Sequence, residues 1–316
     1  MKKYIFAFLM VLIGQQLQAQ TASQAEYNFL RLPVSAHAAA MGGENVTMTD
    51  DDAMMAFHNP ALIIGVTPQT IGLQYMRYMA GCNNASASYN DVIAERWHVG
   101  AGIQYMGYGT MKQTDANNND LGTFSASDIA VSGVLGYELA KNLAGGIRLK
   151  YLYGNIGSYN SMAVAADLGL NYYLPETEWS FGLVLKNVGG QVKAYDDNFE
   201  KMPLDVQFGI TKHLVGSPLR LSLTLVDLNH LDYKFINHFI GSAELLLGSN
   251  IYVAFGYNFR LAHEMQVYND EGTGSSKSAG LSFGGGINLN RLKINLAYSK
   301  YHVSSSSLIA NLAVNL

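Results

Sequence analysis

The sequence predicts an all-β fold, a 14-stranded antiparallel transmembrane β-barrel with a small N-terminal helical plug. From about residue 69 to the end, apolar residues alternate with small or polar ones, which is typical of strands with two different faces. Charged residues make up only 14% of the chain and the mean hydropathy is +0.06, as in a barrel with lipid outside and water inside. The first residues, MKKYIFAFLMVLIGQQLQAQ, have the composition of a signal peptide.

Residues 145–154, GGIRLKYLYG, show the alternation clearly. Successive side chains of a strand point to opposite faces, so one face here is apolar and the other carries Arg148 and Lys150. We expect the apolar face to meet lipid, because a cation near the bilayer midplane costs about 2–4 kcal/mol. A soluble β-sandwich also has strands with one apolar face, but many runs here have about ten residues, the length that a tilted strand needs to cross a bilayer.

The alternating runs predict fourteen strands, and an even number lets the last strand pair antiparallel with the first. The links alternate between short and mostly longer ones. Because outer-membrane barrels have short periplasmic turns and longer external loops, we expect the longer links to face the cell exterior. The predicted strands lie near residues 69–79, 83–91, 97–109, 123–138, 143–156, 161–174, 178–187, 203–213, 219–228, 236–247, 250–261, 278–289, 291–302 and 307–316.

Residues 20–66 do not alternate and are predicted to form the plug. They follow a signal peptide at residues 1–19 and precede the barrel at residues 67–316. The segment SAHAAAMGG predicts one short helical turn, and TDDDAMMAFHNPAL predicts a second turn that ends at Asn59-Pro60. A periplasmic tail outside the barrel is the alternative to a plug.

The sequence contains no recognisable catalytic or metal-binding motif: H-E-x-x-H, G-x-S-x-G, a P-loop and C-x-x-C are all absent. The segment DANNND at residues 115–120 resembles the start of a calcium loop, but Asp120 stands where an EF-hand needs glycine, so a polar turn is favoured. We therefore predict no enzyme activity, cofactor or metal. The net charge of -4 gives no reason to expect nucleic-acid binding.

Two groups of residues are candidates for a site. Cations on the inner face could line an anion path, although pairing with plug carboxylates such as residues 50–52 is favoured; these cations are Arg148, Lys150, Lys186 and Arg220. The loops at 188–202 and 262–277 mix aromatic and charged residues, which suits partner contact, with disordered loops as the alternative. The candidate contacts are Lys193, Tyr195, Asp196, Tyr268 and Glu271.

Three segments of the chain resemble a known family. FLRLPVSAHAAAMGG, DDDAMMAFHNPAL and VGAGIQYMGYGTMKQTDANNNDLGTFSASDIA are similar to the PorQ family of the Bacteroidetes type IX secretion system, and more widely to PorV and FadL-like outer-membrane barrels. The likeness is densest over residues 29–136. The plug motif Asn59, Pro60 and Ala61 is shared widely among FadL-like proteins and is less specific than GTFSASD.

The resemblance implies a non-enzymatic role in the outer membrane of a Bacteroidetes-type bacterium. PorQ-like proteins belong to an attachment complex with a PorZ-like surface protein and with sortase-like and PorV-like subunits, which anchors secreted cargo to lipopolysaccharide. The expected partners are therefore those proteins and outer-membrane lipid, with the chain holding the PorZ-like protein at the cell surface.

A FadL-like transporter of hydrophobic molecules is the alternative function. It predicts an apolar pocket between plug and barrel, in which Met54, Met55 and Phe57 are candidate lining residues. The same side chains could instead pack the interior of the plug, which is favoured. An open porin is a third possibility, and a folded plug would argue against it.

Overall fold

The structure, a computed structural model, describes residues 25–248, 250–265, 267–268, 274–275, 279–302 and 305–316. The predicted signal peptide and the first residues of the predicted plug, 20–24, lie outside the described residues. No helix in the described part of the chain is both long and apolar enough to span a membrane.

Fourteen antiparallel strands close into one barrel, which confirms the predicted fold class. Each strand pairs with its neighbours along the chain, and the last strand pairs with the first, with Thr70 opposite Asn315. The strands are β1 (Thr70–Arg77), β2 (Asn83–Ala94), β3 (Trp97–Thr114), β4 (Asp120–Ala140), β5 (Leu143–Ile156), β6 (Tyr159–Leu174), β7 (Trp179–Lys193), β8 (Asp205–His213), β9 (Leu219–Leu225), β10 (Phe239–Leu247), β11 (Ile251–Asn258), β12 (Leu281–Asn288), β13 (Leu292–His302) and β14 (Ser305–Asn315).

The two faces of the wall differ as the alternation predicts. On β5, Leu149 is 63% exposed on the outer face, whereas Arg148 and Lys150 are only 3% and 5% exposed and point into the barrel. The outer faces of the other strands also carry exposed apolar side chains, among them Leu73, Leu183 and Phe255. This apolar outer surface suits lipid, and the inner face is free to bind polar groups.

The long links lie at one end of the barrel and the short links at the other. The longest links are residues 194–204, 226–238 and 259–280; the last contains helix α2 (Phe259–Glu264) and a two-residue ladder of Val267–Tyr268 with Gly274–Ser275. At the opposite end, the links are turns such as residues 95–96 and 141–142.

Two segments predicted as loops are partly strands. The predicted link at 110–122 is mostly β-ribbon, since β3 extends to Thr114 and β4 begins at Asp120. The predicted loop at 188–202 begins inside β7, which extends to Lys193. Both extensions have water-accessible side chains on either face, so they lack the alternation of hydropathy that marks a half-buried strand.

Residues 25–66 occupy the lumen as the plug. Its helical segments are all short: a 3-10 turn at Asn28–Arg31, helix α1 at Ala36–Ala40, and 3-10 turns at Met55–Phe57 and Pro60–Gly65. Helix α1 is buried along its whole length against the wall. The interior of the barrel is therefore largely filled by the chain's own N-terminal segment.

The structure confirms that a helical turn ends before Asn59-Pro60 and adds a role for this pair that we did not predict. We predicted that this pair ends a helical turn, and it also begins the next one. The Asn59 side chain accepts a hydrogen bond from Ala61 N at 3.0 Å, and Pro60 occupies the first position of the 3-10 helix. Asparagine is a strong N-cap and proline is favoured at the first helical position, so the same two residues fit a helix start. The preceding turn at Met55–Phe57 follows Met54 and has no side-chain cap.

Candidate functional site between plug and barrel wall

Glycines on the inner face let the plug backbone touch the wall. A Cβ atom on Gly146 would overlap the backbone of Pro60, and one on Gly182 would overlap the backbone of Val46. A Cβ on any of these inward glycines would contact the plug: Gly72, Gly100, Gly102, Gly136, Gly146, Gly169, Gly182, Gly209, Gly256 and Gly284. At these ten positions, glycine thus lets the plug lie close to the wall.

The plug motif is fixed by its own hydrogen bonds to the wall and to the rest of the plug. Asn59 Nδ2 donates to Val46 O at 2.7 Å and to Leu170 O at 3.2 Å. Pro60 lies over Gly146 and Gly169, and Ala61 is fully buried. The motif therefore fastens the plug to β5 and β6.

One ion cluster joins β7 to the plug. Lys186 Nζ donates to both oxygens of Glu44 at 2.8 and 2.9 Å, and Glu44 also lies 2.7 Å from His58 Nδ1. Burial alone would raise the pKa of Glu44, but Lys186 and His58 outweigh it and lower that pKa to about 2. Glu44 is therefore ionised in the docked plug at neutral pH.

A second cluster joins β9 and β10 to the plug. Arg220 Nη1 donates to Asp50 at 2.7 Å, and Arg220 Nε donates to Glu244, which lies 2.8 Å from His37 Nε2. Burial would raise the pKa of Asp50, but Arg220 lowers it to about 2. His37, Asp50 and Glu244 could in principle hold a metal ion. Arg220 already bridges the two carboxylates, however, so no cation is needed.

The other two lumenal cations share a carboxylate of the wall. Lys150 Nζ donates to Asp167 Oδ1 at 2.6 Å, and Arg148 lies 3.9 Å from Asp167 and 4.0 Å from the Phe57 ring centroid. All four predicted cations thus have a carboxylate partner among the described residues, which favours pairing over an anion path. The pairing differs in detail from the prediction, since only Asp50 of residues 50–52 meets one of the four.

The remaining plug acids have other partners. Asp51 contacts Lys293, and Asp52 accepts a hydrogen bond from Ser35 Oγ at 2.6 Å. Glu44, Asp167 and Glu244 were not predicted from the sequence. Asp167 and Glu244 could have been predicted to face the lumen, because they occupy the inward-facing positions of their alternating strands. Glu44 lies in a segment without periodicity, so the sequence offered no such indication.

Met54, Met55 and Phe57 do not line a large cavity. All three are buried, with Met54 and Phe57 packed against Val34 and Met55 in the cluster that contains α1. They pack the interior of the plug, which is the favoured of the two interpretations.

A cavity of about 550 Å³ lies elsewhere, between the plug and the long links. Its apolar lining comes from both the plug and the barrel, and includes Leu30, Leu32, Tyr78, Ile240, Leu261 and Tyr301. Its charged lining centres on Asp227, which Arg31 Nη1 approaches at 2.6 Å and which Arg260 also contacts. We call this space the chamber. Its size and mixed lining are compatible with a small ligand.

The predicted partner-contact residues lie in different environments. Lys193 and Asp196 are exposed, with Lys193 Nζ hydrogen-bonded to Asn160 and Asp196 accepting from Asn198 N at 2.8 Å. Tyr195 is half-buried and points inward, with its hydroxyl 3.5 Å from Asp128 Oδ1. Tyr268 belongs to the two-residue ladder, and Glu271 lies outside the described residues. Their role as contacts stays a prediction.

The segment at 115–120 forms a polar turn at the tip of the β3–β4 hairpin. Asp115 accepts hydrogen bonds from the backbone of Asn117 and Asn119 at 2.9 and 2.8 Å, and from Asn119 Nδ2 at 2.8 Å. The carboxylate is thus used within the turn itself.

Comparison with known proteins identifies the fold. No protein-family model and no curated protein matches the chain. The Pseudomonas putida toluene transporter TodX is similar at 14% identity and a TM-score of 0.55, over 90% of this chain and 97% of that one. The Ralstonia pickettii toluene transporter TbuX is similar at 12% identity and 0.57, over 90% and 98%. A Pseudomonas aeruginosa FadL homologue is similar at 8% identity and 0.51, over 90% and 98%.

These similarities extend over nearly the whole of each chain and include the barrel strands. At such low identity they establish the architecture. With the closed 14-stranded barrel, the chain has the fold of the FadL-like outer-membrane channels.

Proposed function

We propose that the chain is an outer-membrane channel that binds small hydrophobic molecules in the chamber between its plug and its long links. The observation that carries this proposal is the chamber itself, with apolar side chains from Leu30, Ile240 and Leu261. Two solved structures of the same fold are described as toluene transporters, which supports a hydrophobic ligand. The apolar outer belt supports a place in the outer membrane.

The test of this proposal is a substitution that narrows the chamber with a larger side chain. Leu261→Trp adds an indole to the lining, and Leu231→Trp makes the same change at a side chain that is 90% exposed on a neighbouring link and outside the chamber lining. We expect cells with the wild-type chain to take up radiolabelled toluene faster than cells without it. L261W should slow that uptake severalfold and L231W should not.

Anchoring of a surface protein is the second candidate. The observation that favours it is a set of exposed apolar side chains on the long links, namely Phe199, Leu231, Phe235 and Ile236. Exposed aromatic and apolar groups of this kind commonly mark interfaces. The resemblance to the PorQ family supports the same role, with a PorZ-like protein as the partner.

One deletion strain separates the two candidates. Loss of toluene uptake with normal surface retention of the PorZ-like protein and of secreted cargo supports the channel. Loss of surface retention with normal uptake contradicts the channel and supports the anchor.

A further inference from the structure

The pair Gly145-Gly146 on β5 places one glycine on each face of the wall. Gly146 faces the lumen, where a Cβ would overlap the backbone of Pro60. Gly145 faces outward, and the atoms nearest to its Cβ position belong to Leu139 and Leu170 rather than to the plug. The ladders to both neighbouring strands keep their register at Gly145, so no β-bulge requires glycine there. A glycine inside a regular strand often marks a site that a ligand approaches closely.

Gly145 interrupts a row of large apolar side chains on the outer face of the barrel. The row crosses the five strands from β3 to β7, and its members are Trp97, Tyr137, Gly145, Leu170 and Leu183. Residues in register on one face of a sheet lie side by side. The missing side chain therefore leaves a gap in the wall between Tyr137 and Leu170.

A groove of about 520 Å³ lies over this gap. Every residue of its lining is aliphatic, aromatic or glycine, and the next row of the sheet supplies Leu135, Ile147, Leu168 and Leu185. The volume is within the range of about 300–1,000 Å³ that is usual for ligand sites. Because the groove lies among the outer side chains that suit lipid, the molecules that reach it are those of the membrane.

One end of the groove lies where the wall meets water. Trp97 is the first residue of β3, and its ring centroid lies 4.5 Å from that of Tyr137. Tryptophan and tyrosine are enriched at the boundary between bilayer and water. The exposed charged residues of the two adjacent turns, 95–96 and 141–142, are Glu95, Arg96 and Lys141. The site therefore combines a long apolar surface with charges of both signs at one end.

We propose that this groove binds one acyl chain of a zwitterionic phospholipid, with the headgroup phosphate near Arg96 and Lys141 and the ammonium group near Glu95. This ligand matches both parts of the site. A hydrocarbon without a headgroup would leave the charged turns unused, and a soluble anion would not fill the apolar part. The groove lies on the outer side of the wall and is separate from the chamber, so this inference goes beyond the proposed channel.

The first test is photo-labelling of the whole protein in micelles of an uncharged detergent, dodecyl maltoside. The probe is phosphatidylethanolamine that carries a diazirine in one acyl chain, and the labelled peptides are identified by mass spectrometry. We expect labelling of β4–β6 to exceed that of β11–β13 by about fivefold, because a groove offers the chain more contact than a plain apolar face. The outer face of β11–β13 is also apolar, with Phe255, Phe283 and Leu296 exposed. Even labelling of the two regions would show unspecific lipid contact and overturn the proposal.

The second test fills the groove. Gly145→Leu places a side chain in the gap, where the nearest atom to a Cβ is Cδ1 of the flexible Leu139 side chain at 2.9 Å. Gly133→Leu adds the same side chain at an outward glycine that lies outside the groove lining and has open space around it. G145L should lower the labelling of β4–β6 about fivefold and G133L by less than about twofold, since only G145L removes chain contact. Equal labelling of the two variants would overturn the proposal, and heat-modifiable gel mobility checks that both barrels are folded.

The third test concerns the headgroup and does not alter the wall. Arg96→Glu reverses a charge at the end of the groove, and Arg291→Glu makes the same change at an exposed residue of another short link. R96E should lower the labelling of β4–β6 about threefold, as expected for one exposed charge contact, and R291E should not. Equal labelling in the two variants would overturn the assignment of a phospholipid. Toluene uptake depends on the chamber, so a failure of the channel proposal would leave all of these labelling results unchanged.

Discussion

Gly146 shows how a single residue sets the distance between plug and wall. Its hydrogen leaves room for the backbone of Pro60, where any Cβ would overlap. Gly133, on the neighbouring strand, has no heavy atom within 4 Å of its Cβ position. The two glycines have the same intrinsic flexibility, so any difference between their variants reports the contact with the plug.

We therefore predict that Gly146→Leu destabilises the protein and that Gly133→Leu does not. G146L should displace the plug from the wall and destabilise the protein by roughly 1–3 kcal/mol, as overpacking usually does. G133L should leave stability unchanged. Limited proteolysis of the plug in detergent and the unfolding temperature check both variants, and equal plug protection in the two would contradict the close contact.

At the scale of elements, charge pairs fasten the plug to the strands. The Lys186–Glu44 contact joins residues 142 positions apart, and the Arg220–Asp50 contact joins residues 170 positions apart. Partly buried pairs of this kind have little water to replace a lost partner. Docking of the plug should therefore respond to the protonation of its carboxylates.

We predict that the plug loosens in acid. The pKa of Glu44 is about 2 in the docked plug against an ordinary value of 4.5, so its ionised form favours docking. This contribution is complete above about pH 4.5 and is lost as the pH falls toward 2. Protease accessibility of the plug should rise over that range in the wild type.

Glu44→Gln serves as the control for this prediction. The amide cannot ionise, so E44Q should show a more accessible plug at pH 7 and a smaller further change between pH 4.5 and 2. Identical pH profiles for the two proteins would assign the acid response to other groups.

At the scale of the whole molecule, the unequal ends of the barrel predict its orientation. All three of the longest links lie at one end, and we expect that end to face the cell exterior. Asp196 lies on a long link and Glu176 on a short one, and both are exposed. The buried thiol of Cys82 can be removed with Cys82→Ala to give a clean background.

In that background, a membrane-impermeant maleimide should label Asp196→Cys on intact cells. Glu176→Cys should react only after the outer membrane is opened. The reverse pattern would mean that the long links face the periplasm.

The sequence alone was enough to predict the fourteen strands, the two faces of the alternating runs and the presence of a segment that breaks the alternation. These features are local: a half-buried strand repeats every two residues, so Leu149 and Lys150 reveal their faces without knowledge of any distant residue. The ribbon at the β3–β4 tip could not be predicted in this way, because side chains on both of its faces meet water.

The contacts between groups in the lumen, in contrast, could be known only once the folded chain was seen as a whole. Glu44 pairs with Lys186, Asp50 pairs with Arg220, and the chamber forms where the plug, β10 and α2 come together. Residues so far apart in the chain carry no common period, and their contact depends on how the closed barrel positions the plug. Barrel closure arranges the strands in a circle around the plug, so strands that are distant in the sequence contact the same plug segment.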